Sequence, residues 1–344
     1  MSERFEGVPH EPKLVSGDLP AAGGTIGPDP EDFVVDELVL HAPGTEGSHL
    51  MVRLRKRLWT TQDMIRAVAR AAGVRERDMG SAGMKDKKGV TSQWVSLPEA
   101  ALSPERWSLP PGIEILEIAR APRKLRTGQH RGNRFRIRLV SVPAGGLERA
   151  QAICERIRER GLLNYFGAQR FGRDRENLLH AVDFLEGRAQ NRSRFLKKLY
   201  PSVVQSEIFN RYVSLRLDAG LSALLDGEVV RLDGSASVFV VEDPQREQPR
   251  LISGDIHSTG PMLGPKMRRA VRAALELEER AATSLALSEV ARQELDRLVD
   301  GTRRDVLVHP DALSVGAEGD DRLLVEFSLP AGSYATQLIR ELTR

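Results

Sequence analysis

Residues 134–140 read Arg-Phe-Arg-Ile-Arg-Leu-Val, and this alternation decides the fold class. In an extended chain Phe135, Ile137 and Leu139 fall on one side and Arg134, Arg136 and Arg138 on the other. That is a half-buried β-strand with three guanidinium groups on its open face. Just downstream, Ala150, Ile153, Cys154 and Ile157 recur at helical spacing within 147–160, and Gly161 supplies a stop. Upstream, strand patterns fall near 33–40, at 49–59, after the loop 80–89 and at 112–118. In 49–59, Met51, Leu54 and Leu58 interleave with Arg53, Arg55 and Arg57. Thr60 with Asp63 opens a helix carrying Ile65, Val68, Ala69 and Ala72, and Gly73 ends it. Residues 174–225 and 264–300 read as mostly helical, with short strands near 228–241. Strand patterns return at 304–308 and 322–329, where Leu323, Val325, Phe327 and Leu329 alternate. This order predicts an α/β (α+β) protein in which an inserted domain interrupts a sheet that the final strands complete.

The chain has 344 residues, long enough for two domains, and 40% hydrophobic with 29% charged residues is the balance of a globular protein. No run of 18 apolar residues is present, so no membrane-spanning helix is expected. MSERFEGVPHEPK at the N-terminus is no secretory signal, and the single Cys154 excludes a disulfide framework and a cysteine metal cluster. The expected location is the cytoplasm. The net charge of +3 is unevenly spread. No acidic residue occurs between Glu117 and Glu148, where Arg120, Arg123, Lys124, Arg126, Arg131, Arg134, Arg136 and Arg138 lie. Such a field suits a polyanion partner, or else a solvated charged strand.

No P-loop, dinucleotide fingerprint, HExxH pair or GxSxG elbow is present, and the seven histidines lack metal-ligand spacing. Five segments carry the remaining chemistry. In Gly83-Met84-Lys85-Asp86-Lys87-Lys88-Gly89 one carboxylate sits among three lysines. Neighbouring cations keep Asp86 ionised, which suits a nucleophile, and draw a phosphate backbone towards it. The plainer reading is an exposed turn with self-paired charges. Gly132-Asn133-Arg134-Phe135 offers an aromatic face for stacking a base, a hydrogen-bonding amide and arginines for phosphates, although Phe135 on an apolar strand face is also a natural core residue. Asn164-Tyr165-Phe166-Gly167-Ala168-Gln169-Arg170-Phe171-Gly172 reads either as a functional segment or as a packed knot with Phe166 and Phe171 buried. In Pro30-Glu31-Asp32-Phe33, Glu31 is placed to tie down a cation and Asp32 to cap a turn. In Leu329-Pro330-Ala331-Gly332-Ser333-Tyr334, small residues permit close backbone approach.

Together these segments resemble the tRNA pseudouridine synthase D (TruD) family. The likeness runs in order through GTIGPDPEDFVVDE, SAGMKDKKGVTSQW, RGNRFRIRL, NYFGAQRFG and LPAGSYATQLIREL, which span nearly the whole chain. It implies a pseudouridine-synthase catalytic domain with a mixed, mainly antiparallel sheet over 1–160 and 304–344, interrupted by a mostly helical insertion domain at 161–303. It implies isomerisation of a uridine in tRNA, at position 13 of the D arm, with no metal, nucleotide or redox cofactor and no obligate protein partner. RNA is expected between the two domains. Asp86 is then the catalytic residue; Phe135, Asn133, Lys85 and Glu31 bind the substrate nucleotide; and Lys87, Lys88, Arg134, Arg136, Arg138 and Arg170 contact RNA. One position departs from the family pattern. The lysine expected three residues before Pro30 is Gly27, so a charge partner for Asp86 must come from Lys85 or from an arginine elsewhere. An RNA-binding module without activity and a nucleic-acid hydrolase are the two competing classes. An intact Asp86 argues against the first, and the lack of a metal-type carboxylate cluster against the second.

Overall fold

The computed structural model of the chain describes residues 10–190 and 193–344. Its first half contains β1 (Thr25–Ile26), β2 (Phe33–Val39), β3 (His49–Arg57), α1 (Thr61–Ala72), β4 (Gly80–Ser81), β5 (Val90–Pro98), β6 (Ile113–Ala121), β7 (His130–Val140) and α2 (Gly146–Arg160). There follow β8 (Leu162–Leu163), α3 (Glu176–Leu185), α4 (Arg194–Asp218), β9 (Val229–Leu232), β10 (Val238–Val240), α5 (Pro244–Ser253) and β11 (Ile256–Met262). The chain closes with α6 (Arg272–Thr283), α7 (Glu289–Leu298), β12 (Thr302–Asp305), β13 (Leu307–Val308), β14 (Asp311–Ala317), β15 (Leu323–Pro330) and α8 (Ala335–Thr343). Contacts divide it into two discontinuous units. One gathers Leu19–Glu155, Pro310–Ala335 and Leu342–Arg344; the other gathers the residues up to Asp18, Arg156–His309 and Thr336–Glu341.

The first unit is built on a nine-stranded sheet in the order β14-β15-β7-β2-β5-β3-β6, with β1 beside β7 and β4 beside β5. Every pairing is antiparallel except β2 with β5. The alternating strand therefore lies inside the sheet, between β15 and β2, and the last strands of the chain do complete it. Paired residues share a face, so one row runs Phe327, Phe135, Val35, Thr91 and Lys56, and the next holds Leu329, Asn133 and Glu37. The opposite face carries Arg134, Arg136 and Arg138 with Asp36, Ser92 and Arg55.

Helix α1 begins where Thr60 accepts a hydrogen bond from Asp63 N and ends at Gly73, as its sequence signals predict. Its Met64, Ala67, Val68 and Ala72 pack with Val52, Leu54, Val95, Leu97 and Ile113. Leu58 does not join β3; it leaves the strand with φ 62° and is 46% exposed.

The other unit holds α3–α7 together with an antiparallel sheet ordered β10-β9-β11-β12 and the short pair β13-β8. β9 and β10 fall in the short-strand region read near 228–241, and β11 was not read; the strand pattern at 304–308, expected to return to the first sheet, lies instead in β12 and β13, which pair with β11 and β8 here. The segment 164–172 is an internal knot here. Phe166 N donates to the Asn210 side chain, which donates back to Phe166 O, and Arg304 stacks over the Phe166 ring while donating to Asn164.

Candidate active site

The connection from β4 to β5 carries Asp86 on an exposed loop whose underside is fastened by buried side chains. Thr61 Oγ1 accepts from Lys85 N at 2.8 Å and donates to Gln93 Oε1 at 2.9 Å, while Gln93 Nε2 donates to Gly83 O at 3.3 Å. Lys56, with no exposed surface, sends its ammonium to Asp86 O at 2.7 Å, Trp59 O at 2.7 Å and Lys85 O at 3.4 Å. Three donors thus meet three main-chain carbonyls. Burial lowers the Lys56 pKa to about 8; the Asp86 charge counteracts this and the Lys85 charge adds to it. Above this floor Met84 is 75% exposed, and Asp86, Lys87 and Lys88 are exposed too. A carboxylate in reach of a ligand thus stands on a main chain tied from below.

Lys85 turns inward, away from the role of a simple flanking cation. Its ammonium lies 3.0 Å from Glu37 Oε2 and donates to Asn133 Oδ1 at 2.8 Å, while Trp94 N donates to Glu37 Oε1 at 3.0 Å. Both side chains of this ion pair are buried, so removing either would leave the other in the interior without its ion-pair partner. His130 borders them; burial chiefly lowers its pKa, with Lys85 lowering it further and Glu37 opposing. Phe135, two residues beyond Asn133 on the same face, is 6% exposed, stacked on Phe327 at 5.2 Å and edge-on to Phe33 at 6.5 Å.

Glu31, Asp32, Arg138 and Arg170, also singled out from sequence, engage partners of their own. Glu31 binds Arg57 at 2.7 Å, which holds its carboxyl below the ordinary range. Asp32 accepts from Asp29 N, closing the turn, and pairs with Arg138 at 2.7 Å. Arg138 also binds Glu318, so its guanidinium is engaged on both sides. Arg134 and Arg136 are exposed, but on the sheet face opposite Asn133 and Phe135. Arg170, in the other unit, donates to Ser202 and Ser206 and lies over the Phe166 ring. At Gly27 a Cβ would meet the Asp32 carboxylate, so a side chain there requires Asp32 to shift. Among the described residues no ion pair engages the Asp86 carboxylate. The Asp86 charge acts on buried Lys56, raising its pKa against the effect of burial.

Lys56, Glu37, Thr61 and Gln93 were not anticipated. Lys56 and Glu37 did carry a signal, since each stands in phase with buried apolar residues of its strand, Val52 and Leu54 in one case and Val35 in the other.

Comparison with known proteins agrees with the sequence resemblance. The family model described as tRNA pseudouridine synthase D (TruD) matches residues 13–185 and 185–342. A tRNA pseudouridine synthase D from Anaeromyxobacter sp. (strain Fw109-5) is 41% identical over 341 residues, covering 96% of this chain and 95% of its own. One from Thermus thermophilus is 35% identical, covering 98% and 93%. A crystal structure from Methanosarcina mazei assigned to TruD superposes with a TM-score of 0.75 over 96% of both chains at 23% identity, a likeness of fold. With matches spanning nearly its whole length, the chain belongs to the tRNA pseudouridine synthase D (TruD) family.

Proposed function

We propose that the protein isomerises uridine to pseudouridine in tRNA, at position 13 of the D arm, with Asp86 as the catalytic carboxylate. The observation that carries this reading is the contrast at Asp86: an exposed carboxylate on a loop whose main chain is held by Lys56, Thr61 and Gln93. Such fastening is what a reaction requiring one fixed attacking group needs. The target uridine leaves its stack to bring its glycosidic bond to the carboxylate. Phe135, backed by Phe327, forms the aromatic floor of the pocket, and Asn133, oriented by Lys85, offers a hydrogen bond to the base.

Asp86 then assists cleavage of the N1–C1′ bond, either by attacking C1′ or by promoting a glycal. The released uracil turns, C5 bonds to C1′, the C5 proton is lost and N1 ends protonated, so the product is an isomer of the substrate. Lys87 and Lys88, exposed beside Asp86, are placed to meet phosphate groups. The cytoplasm, where tRNA is found, is the proposed site of action.

The test is tritium release from tRNA transcripts labelled at uridine C5. Release from the D arm is expected with the wild-type protein. It should stop in Asp86→Ala while tRNA affinity stays within about twofold, since phosphate contacts supply most of the binding. Turnover retained in that variant refutes the assignment of Asp86.

A further inference from the structure

The β6–β7 connection, residues 122–129, with the start of β7, forms a basic tongue attached to the segment that leads into the Asp86 loop. Gly128 N donates to Ala82 O at 2.7 Å, Leu125 N to Ser96 Oγ at 2.9 Å, and Lys124 Nζ to Arg77 O at 2.7 Å. A Cβ on Gly80 would overlap Leu125 O, so the two backbones touch. Within the tongue, Arg126 N donates to Gln129 Oε1 at 2.7 Å and Gln129 N to Arg126 O at 3.1 Å, which closes its turn. At its end His130 faces Gly83 and senses the Lys85–Glu37 pair. The tongue is therefore a fixed neighbour of the loop and not a loose surface flap.

Arg123, Arg126 and Arg131 project from it exposed, and among the described residues no carboxylate lies within ion-pair distance of them. This differs from β7, where Arg138 is neutralised twice and Arg134 and Arg136 stand on the opposite face from Asn133. The eight basic residues of the acid-free stretch are thus split by the fold. Resting on the function proposed above, we infer that Arg123, Arg126 and Arg131 form the phosphate-binding surface that seats the substrate RNA backbone beside the Asp86 loop. Three unneutralised guanidinium groups in fixed relation to the loop match the spacing problem the enzyme faces, which is to bring one nucleotide of a long polyanion to one carboxylate.

The test compares tRNA binding across potassium chloride concentrations, by fluorescence anisotropy, for three full-length proteins. Wild type fixes the reference slope of log K against log salt. The Arg123→Gln/Arg126→Gln/Arg131→Gln variant should bind more weakly, with a slope shallower by about 2–3, roughly one for each phosphate that is no longer neutralised. Arg134→Gln/Arg136→Gln should keep the wild-type slope. An unchanged slope in the triple variant, or an equal loss in the Arg134/Arg136 variant, overturns the inference while leaving Asp86 chemistry intact. Absence of salt-dependent tRNA binding by wild type overturns this inference and the proposed substrate together.

Discussion

Among the described residues the Lys56 ammonium forms no ion pair; it is held by the carbonyls of Trp59, Lys85 and Asp86. An ammonium so placed fixes the main chain of the loop and sets a positive field under Asp86. With its pKa lowered to about 8, it loses that charge and one of three donor hydrogens at mildly alkaline pH. Turnover is therefore expected to fall as pH rises through about 8. Lys56→Met should be slow at every pH, lack this alkaline limb and keep its tRNA affinity; the same limb persisting in the variant would assign it to another group. Stability moves the other way. Between about 8 and the ordinary 10.5 the unfolded chain holds the extra proton, so the contribution of Lys56 to stability rises with pH across that window. Below about 8 the buried charge is a constant cost. Asp86 was legible because a carboxylate among lysines inside a recognisable motif is conspicuous. The groups that fix it were not, because their roles depend on carbonyls and strand partners far off in sequence.

At the scale of the element, β7 organises the site: its inward residues Asn133 and Phe135 sit against β2 and β15, and their neighbours Arg134 and Arg136 are turned away. Phe327 on β15 backs Phe135 at 5.2 Å and is itself buried. Phe327→Ala is expected to cost about 3–5 kcal/mol in urea unfolding, through the loss of buried apolar surface and the cavity left behind. It should also lower turnover, as the floor under Asn133 and Phe135 loosens. A loss below about 1 kcal/mol would show that β15 is not part of this core. Strict alternation made β7 and β15 readable in advance. Strand β11 was missed because Gly260 and Pro261 interrupt it, and β14 because the small residues Ala312, Gly316 and Ala317 blur the alternation of Leu313 and Val315. Both exist through their partners: β11 is paired on both sides, and β14 is carried by β15.

The whole molecule depends on a sheet whose partners are far apart in the chain. Phe135 pairs with Phe327, with the inserted segment between them in sequence, and the pairing runs from Gly132 to Leu139. The closing segment serves both units, since β14 and β15 complete the sheet while Glu341 accepts from Val15 N at 2.9 Å and Ser16 N at 3.1 Å in the other. Contacts of such separation form late, because loop closure must precede them. A chain ending at His309 lacks β14, β15 and α8 and leaves the full edge of β7 unpaired, a template for association with other chains. That truncated protein is expected to aggregate, and any soluble fraction should have lost hydrogen-exchange protection along Gly132–Leu139 and release no tritium from labelled tRNA. If those amides stay protected in a soluble truncated chain, β7 is held by β2 and β1 alone, and the return of the chain into the sheet is not what fixes Asn133 and Phe135.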